Sequence, residues 1–506
     1  MDELTISDIL ELYETRGLTA VELVKSYMQR IKNYDKNPNG LSLNSIIELN
    51  ADALTIASEL DEYYRLNGVK GILHGIPILV KDNIDTAGSM QTTAGSLALT
   101  GNNRDADAFV VSLLREQGGI ILGKTNLSEW ANYRGKWSTS GWSSMGGQTR
   151  NPYDLLRTPC GSSSGTAVAI AANFAPVGIG TETDGSIICP SSINGIVGLK
   201  PSIGLVSRSG IIPIGKSQDT AGPMTRTVKD AAILLTAMVG KDESDRTTLD
   251  SPILNYILEG SIDRLDGMVI GVIRNFTKFN QKISDLFDSI LPFFKDLGAE
   301  LVDQSDDDRI KGKHPIDLKL LEGLSEAEST VLSYEFKQGL NQYLSTVNGN
   351  IQTIENVIEF NTANKKETLL HFGQEYFEYA LSKGDLQSEA YLKAIQLYDE
   401  YRTKFDTEFS RHNLDAVILP STGPAWLIDH VNGDNYAGGF SSSIAAITGY
   451  CSISLPMGYI NGLPVGLSII SGKFQEKKIL TIAHAFENAT KIRIPPDLET
   501  TMQLGK

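Results

Sequence analysis

The sequence predicts an α/β protein: a central mixed β-sheet covered by helices on both faces, carrying a mainly helical insertion. Three observations lead there. Short apolar runs bounded by Gly or Pro alternate with segments whose apolar residues recur at helical spacing. Dense Gly and Ser clusters lie between segments that must be buried, not in linker-like surroundings. Beyond about residue 240 the pattern turns helical and charged, until an apolar strand returns at 416–419. The 506 residues, 41% hydrophobic and 21% charged, suffice for a large core and exclude a disordered chain. No repeat and no clear linker divides them. One domain over 1–506 is expected, with its core at about 1–240 and 411–506 and the insertion at about 241–410.

Thr19 and Glu22 form a capping box ahead of Val21, Leu23, Val24, Tyr27 and Ile31, an apolar stripe that predicts a surface helix. A second helical pattern covers 51–64. Gly75-Ile76-Pro77-Ile78-Leu79-Val80-Lys81 then reads as a short strand ending on a lysine, a place from which a rigidly held side chain can reach a cleft. Residues 108–130 repeat this logic with Phe109, Val110, Leu113 and Leu114 on a helix and Ile120-Ile121-Leu122 on a strand. From 138 to 226 Gly and Ser dominate, interrupted by a helical run at 166–172 and a strand at 177–180. The insertion carries an acidic run at 303–308. Residues 449–470 return to strand-like texture.

Lys plus Arg number 45 against 61 Asp plus Glu, a net charge of −16 that repels phosphate backbones and anionic lipid. Neither nucleic acid nor a membrane is an expected partner. Cys160, Cys189 and Cys451 form no C-x-x-C pair and no zinc spacing. They read as small buried residues, with a single bridge left open, and favour a reducing compartment. Met1-Asp2-Glu3-Leu4 lacks a secretory n-region, and no stretch has the roughly 20 apolar residues of a membrane helix. A soluble, cytoplasmic protein is expected, although a signal cleaved ahead of Met1 would leave no mark in this sequence.

Gly118-Gly119-Ile120-Ile121-Leu122-Gly123-Lys124-Thr125 fits the phosphate-loop pattern G-x-x-x-x-G-K-[ST]. Context rejects it. Such a loop follows a strand, whereas here a helix precedes the motif and its three central apolar residues want burial in a strand.

The 47 glycines are about one residue in eleven against an average near 7%, while the 18 prolines are not raised. The excess gathers at Cys160-Gly161-Ser162-Ser163-Ser164-Gly165-Thr166 and at Gly180-Thr181-Glu182-Thr183-Asp184-Gly185-Ser186-Ile187-Ile188-Cys189-Pro190. A hydrolytic nucleophile needs a turn that aims backbone N–H groups at one point, and Thr183-Asp184-Gly185-Ser186 offers one directly after a strand. It also needs a base. His74, His314, His371, His412, His430 and His484 show no H-E-x-x-H spacing and read as surface or helix residues, with His74 alone near a candidate segment. A buried lysine whose pKa falls from about 10.4 can serve instead. On the residues alone, Ser162 and Ser163 remain equal candidates to join the two.

These segments, with Gly123-Lys124-Thr125-Asn126-Leu127-Ser128-Glu129-Trp130, Asn151-Pro152, Gly195-Ile196-Val197-Gly198-Leu199-Lys200-Pro201 and Gly462-Leu463-Pro464-Val465-Gly466-Leu467, resemble the amidase signature family over most of the chain. The resemblance implies a single large amidase-signature-type domain and a Ser-cis-Ser-Lys triad: Lys81 as base, Ser162 as relay through a cis peptide, Ser186 as nucleophile. It implies an oxyanion hole at Thr183, Asp184, Gly185 and Ser186, and no cofactor or metal. Ser164 and Asp184 stand where many members have glycine. With Ser217-Gln218-Asp219-Thr220-Ala221-Gly222-Pro223-Met224 they make the chain more similar to the peptide amidase branch, which removes the C-terminal amide of peptides without cutting internal bonds.

The expected activity is hydrolysis of a C-terminal peptide amide, or a related acyl or aryl amide, with release of ammonia by a monomer or homodimer. Ser163 and Asp184 are candidate substrate contacts, Asp184 reading equally as an Asx residue that steadies its own turn. Trp130, Trp137, Trp142 and Trp426 read either as groove lining or as core. Two alternatives stand beside this: a glutaminase subunit of a tRNA-dependent amidotransferase, and a non-catalytic binding member, which the intact Lys81, Ser162 and Ser186 disfavour.

Overall fold

The computed structural model describes residues 3–36, 42–274, 277, 279–303, 324–436 and 438–504. Their strands, in chain order, are β1 (Ile46–Leu49), β2 (Pro77–Lys81), β3 (Ile120–Thr125), β4 (Trp142–Ser143), β5 (Gly147–Gln148), β6 (Val177–Glu182), β7 (Val197–Lys200), β8 (Thr220–Thr225), β9 (Val269–Val272), β10 (Glu300–Asp303), β11 (Ala416–Pro420), β12 (Ser452–Ile460) and β13 (Leu463–Ile470). Strands β4 and β5 form a small ribbon. The other eleven form one sheet in the order β1-β3-β2-β6-β8-β7-β12-β13-β11-β9-β10. Neighbours are parallel at β3-β2-β6 and at β11-β9-β10 and antiparallel elsewhere. The sheet is mixed, as the sequence predicts.

Every residue of β2, β3, β6, β7, β8, β11 and β13 is buried. Successive side chains of a strand point to opposite faces, so burial at every position means that both faces are covered. The helix Ala20–Tyr34 starts at the Thr19–Glu22 capping box and buries Leu23, Val24, Tyr27 and Ile31. The helix Ser164–Ala171 is buried all round. Among the described residues no helix is long and apolar enough to cross a membrane.

The insertion differs from expectation. Strands β9 and β10, joined through the helix Gln281–Asp296, extend the main sheet, and only after them come the long helices Leu324–Leu344 and Glu389–Arg411. Each strand has four residues, too few for an alternating pattern to stand out from its helical surroundings. Of the acidic run, 304–308 lie outside the described residues, as does His314. The phosphate-loop lookalike is a helix, Phe109–Glu116, followed by the buried β3. Its Lys124 Nζ donates to Ile84 O and, at 3.1 Å, to Thr92 Oγ1.

Strands β2 and β6 are parallel neighbours, Ile78 opposite Val177 and Val80 opposite Ile179. Their C-terminal ends therefore lie side by side, where open α/β sheets hold their ligands.

Candidate active site

Lys81 closes β2 and is fully buried. Its Nζ donates to Ser162 Oγ at 2.7 Å, to Thr181 Oγ1 at 2.8 Å and to Thr181 O at 3.2 Å. None of these partners is a carboxylate. Burial pushes the lysine pKa well below its ordinary value, against the more distant pull of Glu182 and Asp219.

Two turns meet beside it. The first contains a cis peptide between Gly161 and Ser162. A Cβ on Gly161 would stand 2.2 Å from Ser128 Oγ, so only glycine fits. Ser162 O accepts from Ser128 N at 3.1 Å, and Ser163 N donates to Ser186 O at 3.1 Å, tying the first turn to the second. Ser163 is not placed as a substrate contact. It is fully buried, its Oγ donates to Thr181 O at 3.0 Å and accepts from Thr181 N at 3.2 Å, and the hydroxyl is thereby spent behind the site.

The second turn leaves β6 at Glu182, whose Oε2 accepts from Ile187 N at 2.7 Å and Ile188 N at 2.9 Å. Gly185 sits at φ +83°, the left-handed conformation that lets successive N–H groups converge. The backbone N–H groups of Asp184, Gly185 and Ser186 find no acceptor among the described residues. Ser186 is 7% exposed at the wall of a cavity of about 370 Å³, and no hydrogen bond joins its Oγ to Ser162.

Tyr133, Trp426, Tyr436 and Phe440 give this cavity aromatic walls, while Asp184, Glu328 and Asp434 give it carboxyls; no Lys, Arg or His lines it among the described residues. Asp184 Oδ2 accepts from Ser443 Oγ at 2.7 Å, so this side chain cross-links two elements and is no Asx turn. Burial and the negative Asp184 push the Glu328 carboxyl well above the usual range. Of the four tryptophans only Trp426 lines the cavity. Trp130 packs on Phe377, Trp142 on Phe372, and Trp137 is 63% exposed. His74 is buried elsewhere, accepting from Lys70 N.

Cys160 and Cys189 are corrected. They are joined as a disulfide, with Cα atoms 6.1 Å apart, because the two serine turns that carry them are already held together. The bridge lines the cavity, and with it goes the argument from free cysteines for a reducing compartment. Only Cys451 is a free thiol among the described residues, and it is buried. No group of three or more His, Cys, Asp or Glu among those residues could hold a metal ion.

Sequence reasoning missed Thr181 as the main holder of Lys81 and Glu182 as the clamp behind Ser186, though both lie in the glycine-rich motif. It also missed Glu328, which no local signal marks.

The Amidase family pattern matches residues 22–480. A probable amidase of Arabidopsis thaliana is 37% identical, over 98% of this chain and 92% of that protein. A glutamyl-tRNA(Gln) amidotransferase subunit of Thermoanaerobacter pseudethanolicus is 35% identical, over 97% of this chain and 98% of that protein. The crystal structure of native peptide amidase from Stenotrophomonas maltophilia superposes with a TM-score of 0.90 at 43% identity, covering 98% of this chain and 99% of that one. On a match that spans most of its length, this chain belongs to the amidase family, whose members hydrolyse amide bonds.

Proposed function

We propose that the chain is a serine amidohydrolase that deamidates C-terminal peptide amides, or related acyl and aryl amides, through an acyl-enzyme on Ser186. The observation that carries this reading is a buried lysine bonded to hydroxyls, without a carboxylate, behind a serine that opens onto a cavity. Neutral Lys81 takes the proton of Ser162 as Ser162 takes that of Ser186, a relay that closes when the Ser186 side chain turns toward Ser162 on substrate binding. The Ser186 Oγ–carbon bond forms, and the oxyanion is held by the unspent N–H groups of the 183–186 turn. The proton returns along the relay to the nitrogen, the C–N bond breaks, and ammonia leaves. Water then attacks the ester, delivering its proton by the same path.

The charge of the cavity favours a capped peptide amide as substrate. Glutamine would bring an α-carboxylate, beside its α-ammonium, into a space where no Lys, Arg or His among the described residues can pair with it, whereas a capped peptide amide presents no such charge. The names of some relatives favour a second reading, a glutaminase subunit that works with partner chains. Ammonia release by the purified chain alone separates the two. Turnover of a peptide amide with little or none of glutamine is expected; comparable rates on glutamine overturn the peptide reading, and no ammonia from either overturns the enzyme assignment for the isolated chain.

A further inference from the structure

Thr181 Oγ1 stands between two donors, Lys81 Nζ at 2.8 Å and Asn83 Nδ2 at 3.0 Å. A hydroxyl also carries a hydrogen of its own, and while Asn83 donates, the acceptor left for that hydrogen is the lone pair of a neutral Lys81. Asn83 is 2% exposed, and its Oδ1 is buried without a donor. A half turn of this carboxamide exchanges O and N without moving any heavy atom appreciably. Turned over, Oδ1 accepts the Thr181 hydroxyl hydrogen across the same 3.0 Å; Asn83, Thr181 and Thr183 also line a second cavity of about 560 Å³.

We propose that Asn83 is a positioning residue for the base. Accepting from Thr181, it leaves the Thr181 oxygen free to receive one N–H of neutral Lys81 while Thr181 O receives the other, so that the lysine lone pair points at Ser162. With Asn83 donating instead, Thr181 donates into that lone pair and Ser162 has nowhere to send its proton. The same side chains thus have a competent and an idle arrangement. The proposal rests on the reading of Lys81 as the base.

The charged groups nearby do not compete for the Asn83 side chain. Lys81 feels Glu182 and Asp219. Asp219 accepts from Thr183 Oγ1 at 2.6 Å. Along the second cavity, Arg104 pairs with Asp85 at 3.2 Å, Arg208 pairs with Asp245 at 2.6 Å, and Glu335 accepts from Tyr391 at 2.7 Å.

The test is kcat and KM for a peptide amide across pH in Asn83→Ala and Asn83→Asp. Asn83→Ala frees the Thr181 hydroxyl to occupy the lone pair, and kcat is expected to fall about tenfold or more while KM changes less than about twofold. Asn83→Asp can only accept, so the orientation is kept, but its negative charge favours the protonated lysine. The acid limb of kcat/KM therefore moves up by about one pH unit or more, with a plateau kcat at least about tenfold above that of Asn83→Ala. Equal losses in both variants with an unmoved acid limb overturn the proposal, as does an unchanged kcat in Asn83→Ala. Should Asn83→Ala fail to fold, Asn83→Leu, which neither accepts from nor donates to Thr181, takes its place with the same expected loss of kcat, and an unchanged kcat overturns the proposal. Turnover that survives in Lys81→Met overturns the base assignment itself, whereas silent Asn83 variants of an enzyme that Lys81→Met inactivates overturn only the positioning role.

Discussion

Two buried lysines leave neighbouring strands at one end of the sheet. Lys81 lies opposite Thr125 and Lys124 opposite Val80 across the β2–β3 pair, so the alternation of side chains sends one lysine to each face. Both are fully buried. Lys124 has a carboxylate, Asp82 Oδ1 at 4.0 Å, in addition to Thr92 and Ile84 O. Lys81 has two hydroxyls and a carbonyl. Burial drives both amines toward the neutral form. Asp82, itself pushed up to about 6 by burial, pulls Lys124 back toward the charged form, and nothing so close does this for Lys81. The difference teaches that burial depresses a lysine pKa and a close carboxylate, which Lys81 lacks, restores part of it.

The largest expected effect lies at the end of the relay that only Lys81 serves. Ser186→Ala should lower kcat by about 10⁴-fold or more, with an unchanged melting temperature. Substantial residual turnover would move the nucleophile elsewhere.

The lysines themselves should separate in stability. Lys124→Met removes the cation beside Asp82, which keeps its Thr93 and Gly95 donors and takes up a proton more readily, and should cost about 1–3 kcal/mol in denaturant unfolding. Lys81→Met strands no charge. Burial holds the native Lys81 pKa below the unfolded value of about 10.4, so between the two the unfolded state binds more protons and wild-type stability rises with pH. The variant lacks this slope, and the stability difference, wild type minus Lys81→Met, should grow as pH rises from the native Lys81 pKa toward about 10.4. Parallel slopes would mean that Lys81 is charged in the fold. By the same sign, activity falls as pH drops through the native Lys81 pKa.

The smallest effect tests where Ser163 sits. Losing its two bonds to Thr181, Ser163→Ala should cost about 1 kcal/mol of stability and leave KM unchanged. A raised KM would return Ser163 to the substrate side.

Ser162 was separated from Ser163 only by the resemblance to the amidase signature family, whereas Lys81 and Ser186 were legible as candidates because each belongs to a local strand or turn signal that survives without tertiary context. The same holds for β2, β3 and the helix Ser164–Ala171. Glu328 was not, since only packing of the helix Leu324–Leu344 over the cavity brings it to Asp184. The Cys160–Cys189 bridge was not, because chain spacing does not say that two turns will meet; the Ser163-to-Ser186 backbone bond does. Thr181 stood in the quoted motif, but its bond to Lys81 depends on β2 and β6 being parallel neighbours, which no single strand announces.

With no Lys, Arg or His among its described lining residues, the cavity bears on how a product leaves it. On the proposed reaction an amide enters uncharged against aromatic walls, but the acid it becomes is an anion beside Asp184, in a space where burial already drives Glu328 toward its neutral form. Repulsion that is silent at the start of the cycle acts at its end, so weak inhibition by the free acid is expected, with the equilibrium between amide and acid unchanged.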